Sequence, residues 1–130
     1  MTVLPLAVGV GVRSGVAADD VIALIQDALR DADGTPVGIF TLDRKAAEPG
    51  LVAAAAALNL PLGGLVRAAL ETASDRTTTR SEASLRHAGV PSVAETAALA
   101  GAGPRSRLVV SRRARGGATC AVAAVAGLEQ

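Results

Sequence analysis

The sequence is short of the residues from which many specialised sites are built. It has one cysteine (Cys120), one histidine (His87) and one aromatic residue (Phe40), with no tryptophan or tyrosine. A lone cysteine permits no internal disulfide, and with a single histidine beside it the ligands of a zinc site are lacking. No metal and no resident cofactor is therefore expected, and the expected compartment is the reducing cytoplasm. With Phe40 as its single aromatic, the chain lacks the usual stacking platforms for single-stranded nucleic acid or sugar rings. Thirteen basic residues against twelve acidic ones leave a net charge of +1, so no net field draws DNA or anionic lipid. Neither nucleic acid nor membrane is an expected partner. The first charge is Arg13, so the apolar opening lacks the basic start of a secretory signal. The longest uncharged run, Pro49 to Val66, is interrupted by Asn59, Pro61, Gly63 and Gly64, where a membrane helix would be continuously apolar.

What remains is a chain of 130 residues, 50% hydrophobic and 19% charged, enough to bury a core without covalent staples. A single domain over residues 1–130 is expected. Alanine is abundant, with 29 copies, and twelve of the thirteen basic residues are arginine, which leaves Lys45 as the one lysine.

Pro5 to Val12 is apolar throughout and lacks helical spacing, as in a central strand covered on both faces. After it, Asp19 and Asp20 precede Val21, Ile22, Leu24, Ile25, Ala28 and Leu29. That spacing forms one apolar face of a helix, with its acids in the first turn. Asp33-Gly34-Thr35-Pro36 closes that helix and Val37 to Leu42 is a second strand. Strand, helix and strand in this order form a βαβ unit with parallel strands.

Gly50 to Leu58 is an alanine-rich helix. Leu60-Pro61-Leu62 is a candidate edge strand and Leu65 to Ala73 another helix. Ser74 to Arg80, polar and threonine-rich, is expected to be an exposed, mobile loop. Ser81 to Ala88 forms a short helix stopped by Gly89. Ser92-Val93-Ala94-Glu95 has the form of a capping box that starts a helix from Val93 to about Ala100. Arg107 to Ser111 and Thr119 to Val125 are strands of a hairpin joined by Arg112 to Gly117. The expected fold class is α/β: a three-layer α/β/α domain with a mixed sheet, its first strands parallel and its C-terminal pair an antiparallel hairpin.

Two loops carry candidate chemistry. Gly9-Val10-Gly11-Val12-Arg13-Ser14-Gly15 leads from a strand into a helix, where free backbone N–H groups and the helix dipole favour an anion. It has one residue too many before its last glycine for a dinucleotide fingerprint. The alternative is that its glycines serve only a tight turn. Gly11 and Gly15 are expected to need positive φ or close approach. The second loop is Asp43-Arg44-Lys45-Ala46-Ala47-Glu48-Pro49-Gly50-Leu51. Loops at the carboxyl ends of neighbouring parallel strands share a rim, so Arg13, Asp43, Lys45 and Glu48 are expected at one crevice. The competing reading is a solvated polar loop with a surface ion pair.

Elsewhere the plainer readings are preferred. His87 is a charge partner for its helix C-terminus and Cys120 a small core residue. Arg105, Arg107, Arg112, Arg113 and Arg115 surround a solvated turn, with an oligomer contact left open.

These segments, together with Gly89 to Leu99 and Thr119 to Ala123 in the same order, resemble the family of CobE and the C-terminal domain of CbiG, over nearly the whole chain. The resemblance implies a place in cobalamin (vitamin B12) biosynthesis. The family commonly has a cysteine before the arginine of the first loop, where this chain has Val12. CbiG is associated with opening a lactone on cobalt-precorrin-5A, with loss of acetaldehyde. CobE is the free-standing relative, linked to binding or handing over a tetrapyrrole.

The resemblance therefore implies a corrinoid or precorrin intermediate as ligand, with other cobalamin-pathway enzymes as further partners. Gly11, Arg13, Ser14, Gly15 and Lys45 are the expected ligand-binding residues. If the protein is instead a hydrolase, Asp43 or Glu48 would orient water as general base while Lys45 or loop N–H groups hold the oxyanion. A nucleotide-binding regulatory domain is the remoter third class.

Overall fold

The computed structural model describes residues 4–125; the single domain expected over 1–130 extends past these residues at both ends. Strand β1 (Pro5–Val12) lies at the centre of the sheet, because the alternation of its side chains serves two different cores. Leu6, Val8, Val10 and Val12 face one side, where they pack with Val21, Leu24, Ile25 and Ala28 of helix α1 (Ala18–Arg30) and Leu51, Ala54 and Ala55 of helix α2 (Pro49–Leu58). Ala7 faces the other side, against Ala94, Ala98 and Leu99 of helix α5 (Val93–Ala102). Gly9 shares that face, and a Cβ there would sit 2.0 Å from the carbonyl oxygen of Ala94. The large-residue face thus carries two helices and the small-residue face lets α5 lie directly on the strand.

Strand β2 (Thr35–Leu42) pairs parallel with β1, as the βαβ reading requires, and strand β3 (Leu62–Leu65) pairs parallel with β2 at the edge. On the other side of β1 lies the hairpin of β4 (Arg107–Arg115) and β5 (Ala118–Ala124), giving the order β3-β2-β1-β5-β4 with β5 antiparallel to β1. The three-layer α/β/α architecture with a mixed sheet is as expected. The remaining helices are α3 (Arg67–Glu71) and α4 (Glu82–Ala88). Among the described residues no helix is long and apolar enough to cross a membrane.

Five local expectations need correction. The edge strand is Leu62–Leu65, later than Leu60-Pro61-Leu62, because Pro61 has no N–H for the ladder and contributes only its carbonyl, to the Ile39 N–H at 2.8 Å. Gly63 pairs beside Phe40, close under its ring, so local breakers lie within a strand. Pairing of Leu65 with Leu42 also shortens the following helix to Arg67–Glu71.

The threonine-rich segment is not a free loop. Ser74–Arg76 is a 3-10 turn and Thr78 and Thr79 are bound to Glu95. The capping box at α5 is half formed: the Glu95 N–H donates to Ser92 Oγ at 3.1 Å, but the Glu95 carboxylate is engaged by those threonines instead of turning back. Finally, the hairpin strands run on to a two-residue turn at Gly116-Gly117, so Arg112, Arg113 and Arg115 belong to β4 and not to a solvated turn.

Candidate functional site

The loops following β1 and β2 meet at one rim, as their parallel arrangement dictates. Gly15, at φ +81°, turns the chain toward α1, and its N–H donates to Glu48 Oε2 at 2.7 Å. Lys45 Nζ donates to Ser14 Oγ at 3.3 Å, so two hydrogen bonds join the loops. The Arg13 N–H donates to the Gly117 carbonyl at 2.8 Å and binds the hairpin turn to the same corner. Arg44 reaches across to α4, donating through Nη2 to the His87 carbonyl at 2.7 Å.

Beside these ties opens a cavity of about 300 Å³. Gly11, Val12 and Arg13 form one wall, and Leu42, Arg44 and Lys45 the next. Ser81, Ser84 and His87 come from α4 and its cap, Ser92 and Val93 from the start of α5, and Arg112, Gly117 and Thr119 from the hairpin. Arg13, Arg44, Lys45 and Arg112 thus converge with His87, and among the described residues no aspartate or glutamate lines the cavity. Among the described residues none of the four cations has a carboxylate partner within ion-pair distance. In a chain of net charge +1 this is a local concentration of one sign. The Ser84 hydroxyl is buried beside it without a hydrogen-bond partner.

Of the residues singled out from sequence, Gly11, Arg13 and Lys45 line the cavity. Ser14 and Gly15 stand just behind its wall, holding Lys45 and Glu48. Asp43 and Glu48 reach the same rim but do not line the cavity: Asp43 is exposed at the start of a 3-10 turn, and Glu48 is spent on the Gly15 N–H. Gly11 does not have positive φ; a Cβ there would lie 2.7 Å from Thr119 Oγ1, so close approach is its constraint.

Sequence reasoning missed Arg44, Arg112, Ser84 and the cavity side of His87. All come together only because α4 folds back over the rim and β4 brings Arg112 to the cavity wall.

Glu95 was read only as a cap. Its side chain is fully buried, yet no cation faces it among the described residues. Oε1 accepts the N–H groups of Thr78 and Thr79, both at 2.9 Å. Oε2 accepts both threonine hydroxyls and the Arg112 N–H, the last at 2.9 Å. Burial pushes its pKa up, but the Arg112 N–H and the donors of Thr79 and Thr78 outweigh this and hold it below the ordinary value. Cys120 is buried in the core, as expected, and burial pushes its thiol up to about 12, so it is inert at neutral pH. On the other face of the hairpin Arg113 grips Asp27 at 2.9 Å and also Asp31.

The fold and the site define an α/β protein whose cation-lined cavity lies at the carboxyl ends of its parallel strands, the rim where open α/β sheets place their ligand sites. The chain is a member of the family described as cobalamin synthesis G C-terminus, whose model matches residues 6–123. It is 36% identical to the protein CobE of a Sinorhizobium species over 126 residues, 95% of this chain and 82% of that one. The crystal structure of a CobE from the cobalamin (vitamin B12) biosynthetic pathway superposes with a TM-score of 0.86 at 32% identity, covering 97% of this chain and 93% of that one. A cobalamin biosynthesis protein chiG from Agrobacterium tumefaciens is 41% identical with a TM-score of 0.74, over 94% and 99% of the two chains. The family resemblance seen in the loop motifs is thus shown, and the relatives belong to cobalamin biosynthesis.

Proposed function

We propose that this protein binds the carboxylate-bearing edge of a corrin or precorrin intermediate and hands it on within cobalamin biosynthesis. The observation that carries this reading is the single sign of the cavity: among the described residues, four cations without carboxylate partners and no acid in the lining. Corrin precursors present several acetate and propionate carboxylates, the groups that Arg and Lys side chains recognise by charge-assisted hydrogen bonds. At about 300 Å³ the cavity is at the small end of ligand pockets, so it suits the substituents of one edge of such a ring while the macrocycle rests on the rim. The reading places the chain, as one domain with an inert buried thiol, in the reducing cytoplasm, where the enzymes that make and consume the intermediate are its further partners.

Titration with hydrogenobyrinic acid, followed by its visible absorbance, tests the proposal. Binding should weaken with added salt, and Arg13→Ala or Lys45→Ala should each cost about 1–3 kcal/mol of binding free energy. Unchanged affinity in both variants would sink it. The hydrolytic alternative gives Asp43 or Glu48 the water and Lys45 the oxyanion. It demands that one of these carboxylates leave its present position for the cavity. Acetaldehyde released from the lactone precursor, and lost in Asp43→Asn or Glu48→Gln variants that still bind, would establish it in place of the escort role.

A further inference from the structure

Strand β4 carries a register irregularity between Val110 and Arg113: three steps along β4 match two along β5, from Val122 to Cys120. One extra residue reverses which face each later side chain takes. Val110 belongs to the core under α1, and without the irregularity Arg112 would share its face. With it, Arg113 and Arg115 turn to α1, where they meet Asp27 and Asp20, and Arg112 and Ala114 come to the cavity.

The irregular stretch is held by α5 and the threonine segment. The Arg112 N–H donates to Glu95 Oε2 at 2.9 Å, and Ser111 Oγ lies 2.9 Å from Thr78 Oγ1. Thr78 and Thr79, bound to the same carboxylate, lead directly into the Ser81 cap of α4, another cavity wall. One buried carboxylate thus connects three walls, although it does not line the cavity itself.

We propose that Arg112 is a ligand-contacting cation of the cavity and that Glu95 is its positioning residue, fixing the bulge that brings Arg112 to the cavity wall. This rests on the anion-binding reading above and extends it to a pair of residues outside both rim loops.

The test is a double-mutant cycle read by binding. Arg112→Ala and Glu95→Gln should each weaken hydrogenobyrinic acid by about tenfold and lessen the salt dependence, and the double variant should be no weaker than either. Losses that multiply to about a hundredfold, or a Glu95→Gln variant that loses stability but no affinity, would overturn the proposal. Asp27→Asn, which loosens the opposite face of the same strand, is the structural control: it should lower Tm and leave binding unchanged. Should Glu95→Gln not fold, Glu95→Asp keeps the charge but shortens its reach, and the same non-additivity with Arg112→Ala is expected.

Butane-1,2,3,4-tetracarboxylate, which lacks a macrocycle, separates this proposal from the corrin reading. Coupling seen with that anion when hydrogenobyrinic acid does not bind would overturn the corrin reading alone. Binding of neither probe would overturn both.

Discussion

Gly15 and Gly9 lie in one strand-to-helix segment, and substitution would fail at each for a different reason. Gly15 has φ +81° with open space where a Cβ would go, so its constraint is conformational. Gly15→Ala should cost about 1 kcal/mol of stability, measurable by urea unfolding, with the rim hydrogen bond to Glu48 loosened. An unchanged midpoint would show that the loop accepts another conformation. The need for glycine here was legible because a strand entering a helix through two glycines and a serine requires a sharp turn. The role of Glu95 was not. Its position three residues after Ser92 fits a capping box, and only the arrival of Thr78, Thr79 and Arg112 from elsewhere in the chain gives its carboxylate better donors.

At the scale of elements, the decisive contact is α5 on β1. The helix is built from Ala94, Ala97, Ala98, Gly101 and Ala102, and the strand presents Ala7 and Gly9 to it. A methyl group at Gly9 would collide with backbone, the Ala94 oxygen at 2.0 Å and the Ala98 nitrogen at 2.3 Å, so the whole helix must move. Gly9→Ala should therefore destabilise by about 3 kcal/mol or more, well beyond Gly15→Ala, and lower Tm correspondingly. Equal melting of the two variants would refute the close-contact account. Because α5 also begins the cavity wall at Ser92 and Val93, the same substitution should weaken anion binding.

The elements most legible in sequence were those with an unbroken local pattern, β1, α1 and the start of α5. Those misjudged depend on partners. Gly63 and Gly64 read as breakers but form an edge strand beside β2, and a polar threonine run reads as a loop until a buried carboxylate is brought to it. The candidate site follows the same division. Arg13 and Lys45 were placed by topology together with the family resemblance, whereas Arg112 needed a one-residue bulge that no periodicity announces.

For the whole molecule, the buried carboxylate makes stability depend on pH in a definite direction. The Glu95 pKa lies below its ordinary value of 4.5 in the folded protein, despite burial, because every group facing it is a neutral donor from Thr78, Thr79 or Arg112. The unfolded chain therefore takes up a proton first as the medium is acidified. The stabilisation is fully present above about pH 4.5 and is lost progressively as pH falls through the lower folded-state value. Asp27 acts in the same direction, held below its ordinary 3.8 by the Arg113 and Arg30 side chains, but at an exposed position where solvent screening leaves it a smaller share. Glu95→Gln removes the titration and, by leaving the Arg112 N–H facing an amide, also removes the stability that the charge supplies. Unfolding free energy measured from about pH 3 to pH 7 should rise with pH in the parent, and more gently in Glu95→Gln. The two should differ most near neutrality and converge toward the acid limit, because a protonated Glu95 and a glutamine are near equivalents. Parallel curves across the whole range would show that the five hydrogen bonds do not favour the charged carboxylate.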